Sequence, residues 1–337
     1  MTTRESDAPA RWTTVLGASG FIGSALVDAL SSRPIRLRAV ARRPVHGAPK
    51  TKAHIDIRTA DLTSTPNLHE VLADSDAVVH LVKDTAGWRD AAAAAASERV
   101  NVGVLSEVLD YFRAHPGSGP PPTVVFAGSS SQVGVPPRLP VDGTESDCPR
   151  TPYDRQKQAA ELLLKAATDE GVVRGITLRL ATVYGQESTS GPADHGVLTA
   201  MVRRAVVGEA LTLWHDGAIE RDFVHVRDVA DAFVAALDHA TALAGSHWLV
   251  GSGTGTRIDH AFAQIAELVS AHTGRSRVPV RSVPAPDGVA PTDLHSMVVD
   301  PSAFGSVTGW HNRIALRDGL KRTIAALAGA AAPSARE

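Results

Sequence analysis

The chain has 337 residues, enough to bury one large core or two closely joined ones. Its net charge of −2, with basic residues scattered rather than clustered, gives no reason to expect nucleic acid as a partner. The single cysteine, Cys148, excludes an internal disulfide framework and fits a reducing cytoplasm, and no apolar run approaches the ~20 residues of a membrane helix. The start of the chain, with Arg4, Glu5 and Asp7 and no apolar core, is expected to be neither signal peptide nor anchor. Residues 1–10 and 330–337 are expected to be flexible, and no metal is expected.

Thr13–Leu16 is a short β-prone run that meets Gly17 abruptly, and from Phe21 the apolar residues recur at three- and four-residue steps. Strand, glycine turn and helix are the setting in which Gly17-Ala18-Ser19-Gly20-Phe21-Ile22-Gly23 holds a dinucleotide pyrophosphate. Gly17 supplies a backbone conformation closed to other residues, Gly20 clears the approach of a phosphate, and Gly23 lets the helix lie close to the sheet. The free N–H groups and dipole at the helix start complete the anion site. The next strand, Arg36–Val40, runs into Ala41-Arg42-Arg43, and no Asp or Glu lies between Asp28 and Asp56. An acidic residue here would hold the ribose 2′-hydroxyl of NAD, whereas Arg42 suits the 2′-phosphate of NADP. NADPH is therefore the expected cofactor. A third β-like stretch leads to Asp61-Leu62, placed for an adenine pocket.

Farther on, Ala77–Leu81 reads as a buried strand, residues 89–113 as a long helix, and Pro116–Pro122 as a break. Thr123–Ala127 reads as a strand, Tyr153–Thr168 as a helix and Gly175–Leu180 as another strand. This alternation predicts a doubly wound parallel α/β sheet of the Rossmann type over residues 11–185. Beyond Gly185 the rhythm loosens, with helices at Val197–Val207, Val229–Ala240, Ile258–His272 and Leu316–Ala328. Residues 186–330 are expected to form a smaller mixed α/β substrate lobe, with some segments returning to the main sheet.

A hydroxyl cluster, Ser129-Ser130-Ser131, ends the Thr123–Ala127 strand, at the sheet edge where such folds place ligands. Tyr153 and Lys157 are four apart and share one helix face. A phenol of ordinary pKa near ~10 is a poor proton carrier at neutral pH, and the Lys157 ammonium is expected to lower it. A serine can orient a carbonyl oxygen beside it. Lys157 can also reach a nicotinamide ribose.

With these motifs stand Asp61-Leu62, His80-Leu81, Asn101-Val102, Leu178-Arg179, Val183-Tyr184-Gly185 and the run Arg221–Ala230. In this order they resemble the extended short-chain dehydrogenases/reductases that act on nucleotide sugars, over roughly residues 12–328. More narrowly, Leu37–Val40, Glu98–Gly103 and Leu213–Gly217 resemble the NDP-4-keto-6-deoxyhexose 4-ketoreductases of antibiotic deoxysugar pathways. The resemblance implies Ser129, Tyr153 and Lys157 as catalytic residues. It implies a cofactor site of Gly17, Ser19, Gly20, Phe21, Ile22, Gly23, Arg42, Asp61, Leu62, Leu81, Asn101 and Lys157. Substrate contacts are implied at Ser130, Thr182, Trp214 and Arg221, with Arg221 in the segment that meets the substrate pyrophosphate. Many relatives carry Asn where this chain has Thr182. A homodimer built on the helices after Asn101 and Tyr153 is also implied.

Related 4,6-dehydratases place a carboxylate pair immediately after the catalytic Ser/Thr. Ser130 and Ser131 occupy those places here and cannot act as general acid and base, which argues against dehydration. The expected reaction is NADPH-dependent reduction of the C4 ketone of a dTDP-linked 4-keto-6-deoxyhexose. The alternatives are a 4-epimerase with retained NAD and a non-catalytic NADP(H)-binding sensor.

Overall fold

The computed structural model describes residues 12–43, 52–84, 96–186, 194–286 and 289–331. β1 (Trp12–Leu16), β2 (Arg36–Ala41), β3 (His54–Thr59), β4 (Ser75–His80), β5 (Thr123–Ser129) and β6 (Arg174–Leu180) are the strands of the sequence reading, with β4 shifted toward the N-terminus and β1, β2, β5 and β6 lengthened by a residue or two. Together with β10 (His247–Val250) they form one sheet in the order β10-β6-β5-β4-β1-β2-β3. Every pairing in it is parallel. Parallel neighbours require crossovers, and the crossover helices cover both faces.

One face carries α1 (Phe21–Ser31); the other carries α2 (Thr65–Leu72), α3 (Val104–Ala114) and α4 (Pro152–Asp169). Val15, Leu26, Leu30, Val125 and Ile176 fill the first layer, and Leu16, Leu68, Leu105, Val124, Phe126 and Leu164 the second. The order of β1 to β6 reverses direction between β1 and β4, and ligands of such sheets sit at the carboxyl ends of the strands flanking that point.

The later chain serves both regions. α5 (Val197–Val206) belongs to the lobe, whereas α6 (Val226–Asp238) returns to pack on α1, and Phe233 joins the first core layer. The short α7 (Ala240–Leu243) leads into β10. A second core, around Leu198, Phe223, Phe262, Ile265 and Leu320, is formed by α5, α8 (Ile258–Thr273) and α10 (Leu316–Ala331). Two small sheets border it: β7 (Thr182–Tyr184), β9 (Glu220–His225) and β11 (Gly255–Arg257), then β8 (Leu211–Trp214) with β12 (Val280–Val283).

The helices depart from expectation in three ways. Of the helix expected over residues 89–113, residues 89–95 lie outside the described residues. The described part is not uniform, because Arg99–Gly103 forms a π-helical turn ahead of α3. α6 begins at Val226 rather than Val229, since the His225 side chain accepts a hydrogen bond from the Arg227 N–H and caps it there. α2 and α9 (Ser302–Thr308) were not foreseen; Pro66 and the polar Asn67 and His69 mask the short amphipathic pattern of α2. Of the expected flexible ends, 1–10 and 330–337, residues 330 and 331 continue α10 (Leu316–Ala331), and residues 1–10 and 332–337 lie outside the described residues.

Candidate active site

The glycine turn after β1 has the geometry its residues require. Gly17 adopts φ +91°, and its N–H and that of Ala18 bond to the Val40 carbonyl at 2.9 and 3.0 Å, tying the turn to β2. A Cβ on Gly17 would stand 3.0 Å from the Leu81 carbonyl carbon. One on Gly23 would stand 2.2 Å from the Gly17 oxygen, so α1 could not lie so close. No side chain caps α1 at Gly20, and its first turn holds no acidic residue. Its N-terminal N–H groups and dipole therefore suit an anion, and the cradle fits a dinucleotide pyrophosphate. Ser19, Phe21 and Ile22 are half-buried along it, and the Leu81 backbone closes the side toward β4, its N–H on the Leu16 carbonyl at 2.9 Å.

Arg42 and Arg43 are exposed just past β2. Asp61 follows β3 and is exposed, with Leu62 buried behind it. Asp61 Oδ1 accepts from the Thr63 N–H (3.0 Å) and hydroxyl (2.8 Å). Those bonds, with the charges of Arg42 and Arg99, hold its carboxyl below the ordinary range. Arg38 in the same strand has a different fate. It is buried, bonds to the Val71 and Ala73 carbonyls, and lies 4.6 Å over the Trp12 ring.

Two capping boxes set the residues expected to be catalytic. At the end of β5 the Ser129 side chain accepts from the Ser131 N–H, while Gln132 Oε1 accepts from the Ser129 N–H at 3.1 Å. At the start of α4 Thr151 Oγ1 accepts from the Asp154 N–H, and Asp154 Oδ2 accepts from the Thr151 N–H at 3.0 Å. Thr151 as cap and Pro152 in the first position fix where α4 begins. Tyr153 then falls in the first turn and Lys157 one turn on, and the Tyr153 hydroxyl meets Ser129 in a hydrogen bond. Ser129, Tyr153 and Lys157 thus converge at the carboxyl edge of β5.

The electrostatics differ from the sequence expectation. The Tyr153 pKa is raised, chiefly by burial and then by the Asp154 carboxylate. Part of the tyrosine surface is open, but its hydroxyl end is densely surrounded. The expected lowering by Lys157 fails because Lys157 is itself buried and bonds elsewhere. Its ammonium donates to the Ala127 carbonyl at 2.7 Å and lies 4.6 Å over the Phe126 ring. Burial and the nearby Lys83 cation push its pKa down to about 7. His80, fully buried beside Phe126, is kept neutral with its pKa pushed down to about 3 by burial and by Lys157.

Several supporting residues escaped the sequence reading. The ammonium of Lys83, just past β4, stands 5.7 Å over the Tyr153 ring; the side chain is exposed, yet the atoms crowding its ammonium lower its pKa. Its only signal is a cation ending the apolar run from Ala77. Asn101, by contrast, was among the expected site residues; it is buried in the π-helical turn, where the extra residue turns its amide inward. It donates to Gln156 Oε1 at 2.8 Å and accepts from the Asp84 N–H at 2.8 Å. Behind Ser129, Gln132 donates to Glu161 Oε2 at 3.2 Å. Glu161 pairs with buried Arg179 (2.8 Å) and with Lys165 (2.7 Å), and Arg179 also grips Asp147 (2.7 Å). Burial opposes ionisation of Glu161, yet hydrogen bonds from His247 and Arg179 hold its carboxyl far below the usual range.

The expected substrate residues are spread more widely. Ser130 is buried beside Ser129, Thr182 is half-buried at the start of β7, and Trp214 is half-buried at the end of β8. The Arg221 guanidinium bonds to the carbonyls of Thr292 and Asp293 at 2.9 Å each, and to that of His295. It therefore braces the 291–295 turn with much of its donor capacity. No group of His, Cys, Asp or Glu among the described residues is arranged to hold a metal ion. No helix among them is long and apolar enough to cross a membrane.

A doubly wound sheet with a glycine-cradled anion site and a Ser/Tyr/Lys cluster at its carboxyl edge defines a dinucleotide-dependent enzyme of the extended short-chain dehydrogenase/reductase type. The chain belongs to the NAD dependent epimerase/dehydratase family, which it matches over residues 13–251. It is 29% identical to the dTDP-6-deoxy-L-talose 4-dehydrogenase (NAD(P)(+)) of Kitasatospora kifunensis, across 93% of this chain and 94% of that one. It is 27% identical to the UDP-glucose 4-epimerase of Mycolicibacterium smegmatis, across 93% and 97%. Among solved structures, MoeE5 in complex with UDP-glucuronic acid and NAD superposes with a TM-score of 0.77 at 26% identity, over 94% of this chain and 99% of that one.

Proposed function

We propose that the protein reduces the C4 ketone of a dTDP-linked 4-keto-6-deoxyhexose with NADPH, as a cytoplasmic enzyme of antibiotic deoxysugar assembly. The observation that carries this reading is geometric: Ser129, Tyr153 and Lys157 meet at the carboxyl edge of β5, where the Tyr153 hydroxyl, hydrogen-bonded to Ser129, can give a proton to a nascent alkoxide. NADPH, when bound, supplies the hydride to C4. Gly17, Gly20, Gly23 and the start of α1 hold its pyrophosphate, and Arg42 answers its 2′-phosphate. Tyr153 gives its proton to the C4 oxygen, Ser129 positions that oxygen, and Lys157 secures the site from below through the Ala127 carbonyl. Ser130 and Ser131 offer no carboxylate to move protons at C5 and C6. A relative named as a dTDP-6-deoxy-sugar 4-dehydrogenase works, by its name, on the same class of carbon in the opposite sense.

The test is NADPH oxidation, followed by absorbance, with freshly prepared dTDP-4-keto-6-deoxyglucose and its 2-deoxy analogue. A dTDP-6-deoxysugar product is expected, and Tyr153→Phe should abolish turnover while NADPH still binds. Binding of NADPH without its consumption would refute the reductase. Arg42→Ala should weaken NADPH selectively over NADH; an equal loss for both would remove the 2′-phosphate role. The 4-epimerase reading draws on the epimerase relative, and it requires cofactor that stays bound through purification and net conversion without NADPH loss.

We also propose a homodimer through α3 and α4. Leu162 is 58% exposed and Leu163 38% exposed on the outer face of α4, large apolar side chains that a partner helix would cover. A monomer mass by light scattering at micromolar concentration would refute this.

A further inference from the structure

Asp154 joins the two capping boxes. Its Oδ2 caps α4 through the Thr151 N–H, and its Oδ1 accepts the Ser131 hydroxyl at 2.5 Å. Ser131 Oγ lies 2.7 Å from Ser129 Oγ, and Ser129 meets the Tyr153 hydroxyl. One chain of oxygens therefore runs from the catalytic tyrosine through two serines to a carboxylate that is 2% exposed.

Counting protons gives the chain a direction. A carboxylate can only accept, so Ser131 donates to Asp154 and its single hydroxyl proton is used. Ser131 Oγ then has only acceptor capacity left for Ser129, so the Ser129 hydroxyl proton points to Ser131. Until a substrate carbonyl draws the Ser129 proton, Ser129 is left as an acceptor for the Tyr153 hydroxyl. We propose that Asp154 is a positioning residue that, through Ser131, turns the Ser129 proton away from Tyr153 and so keeps Tyr153 a proton donor. This rests on the carbonyl-reduction reading for its use, though not for its geometry. The Ser129 hydrogen bond lowers the tyrosine pKa only when Ser129 donates, and the chain sends that proton elsewhere. The other charges facing the Tyr153 ring are Lys157 at 5.8 Å and Lys83 at 5.7 Å, the latter within the field of Asp194. Neither cation belongs to the chain.

Asp154→Asn reverses the chain. The amide oxygen must keep the Thr151 cap, so the amide nitrogen faces Ser131 and donates to it. Ser131 then donates to Ser129, and Ser129 to the Tyr153 oxygen, which favours the phenolate. Ser131→Ala reaches the same end by removing the acceptor of the Ser129 proton, and it leaves the α4 cap and the Asp154 charge in place.

The experiment is the alkaline titration of Tyr153 in the cofactor-free protein, read at the phenolate absorbance after subtracting the matching Tyr153→Phe protein. At about pH 10, near the ordinary tyrosine midpoint, both variants should show roughly tenfold more Tyr153 phenolate than wild type, which is about 1.4 kcal/mol. An unchanged titration in Ser131→Ala overturns the proposal, because any effect of Asp154→Asn would then be charge acting through space. If Asp154→Asn fails to fold, Ser131→Ala decides alone. No substrate enters this measurement, so an enzyme that turned over no 4-keto sugar would refute the proposed function and leave this result standing.

Discussion

Lys157→Met is expected to stabilise the cofactor-free protein while destroying turnover. The lysine is 3% exposed, and burial with the neighbouring Lys83 cation takes its pKa from the usual 10.5 to about 7. Each tenfold loss of proton affinity is ~1.4 kcal/mol, so at neutral pH the fold carries this side chain at a cost of about 4–5 kcal/mol. Methionine fills a similar volume without charge. Losing the hydrogen bond to the Ala127 carbonyl takes back ~1.5–3 kcal/mol, which leaves a net gain of about 2 kcal/mol. The pH dependence is the sharper signature. Between pH 7 and 10.5 the unfolded chain holds the proton that the folded chain has released, so wild-type stability rises with pH across that window. The variant lacks this rise, so its advantage of about 2 kcal/mol at pH 7 should become a deficit of about 1 kcal/mol by pH 10. Urea denaturation at several pH values, with equal slopes for both proteins, measures the gap. A gap that stays constant over that range, or a variant less stable than wild type at pH 7, would refute the reasoning.

Gly23→Ala places a methyl group 2.2 Å from the Gly17 oxygen, so α1 must move off the cradle; NADPH affinity, by fluorescence titration, should fall roughly tenfold or more, ~1.4 kcal/mol or beyond. Unchanged affinity would mean that the pyrophosphate sits elsewhere. Glu161→Ala leaves Arg179, 2% exposed, without the partner at 2.8 Å, and breaking such a buried pair should lower stability by about 3–5 kcal/mol in the same denaturation assay. A loss below about 1 kcal/mol would show that Asp147 alone satisfies the arginine.

What could be read in advance, and what could not, divides along physical lines. The β1 turn was legible because its geometry excludes side chains: positive φ at Gly17 and the contact between Gly17 and Gly23 admit glycine almost uniquely. Tyr153 and Lys157 were legible because helical spacing alone puts them on one face. The π-helical turn was not, since one extra residue in a helix leaves the surrounding pattern intact while it rotates Asn101 inward. The network of Asp147, Glu161, Arg179 and His247 was hidden for another reason. It gathers charges from the loop before α4, from the middle of α4 and from β6 and β10, which only the sheet order brings together. The sense of the Tyr153 shift was misjudged because the sequence supplies the neighbouring charge and not the burial, and burial is the larger cause. Asp154 shows the same limit most clearly. The sequence reading starts the helix at Tyr153, and the Thr151–Asp154 capping box that fixes its start emerges only in the structure. The second oxygen of that aspartate, turned toward Ser131, is what couples the cap to the chemistry.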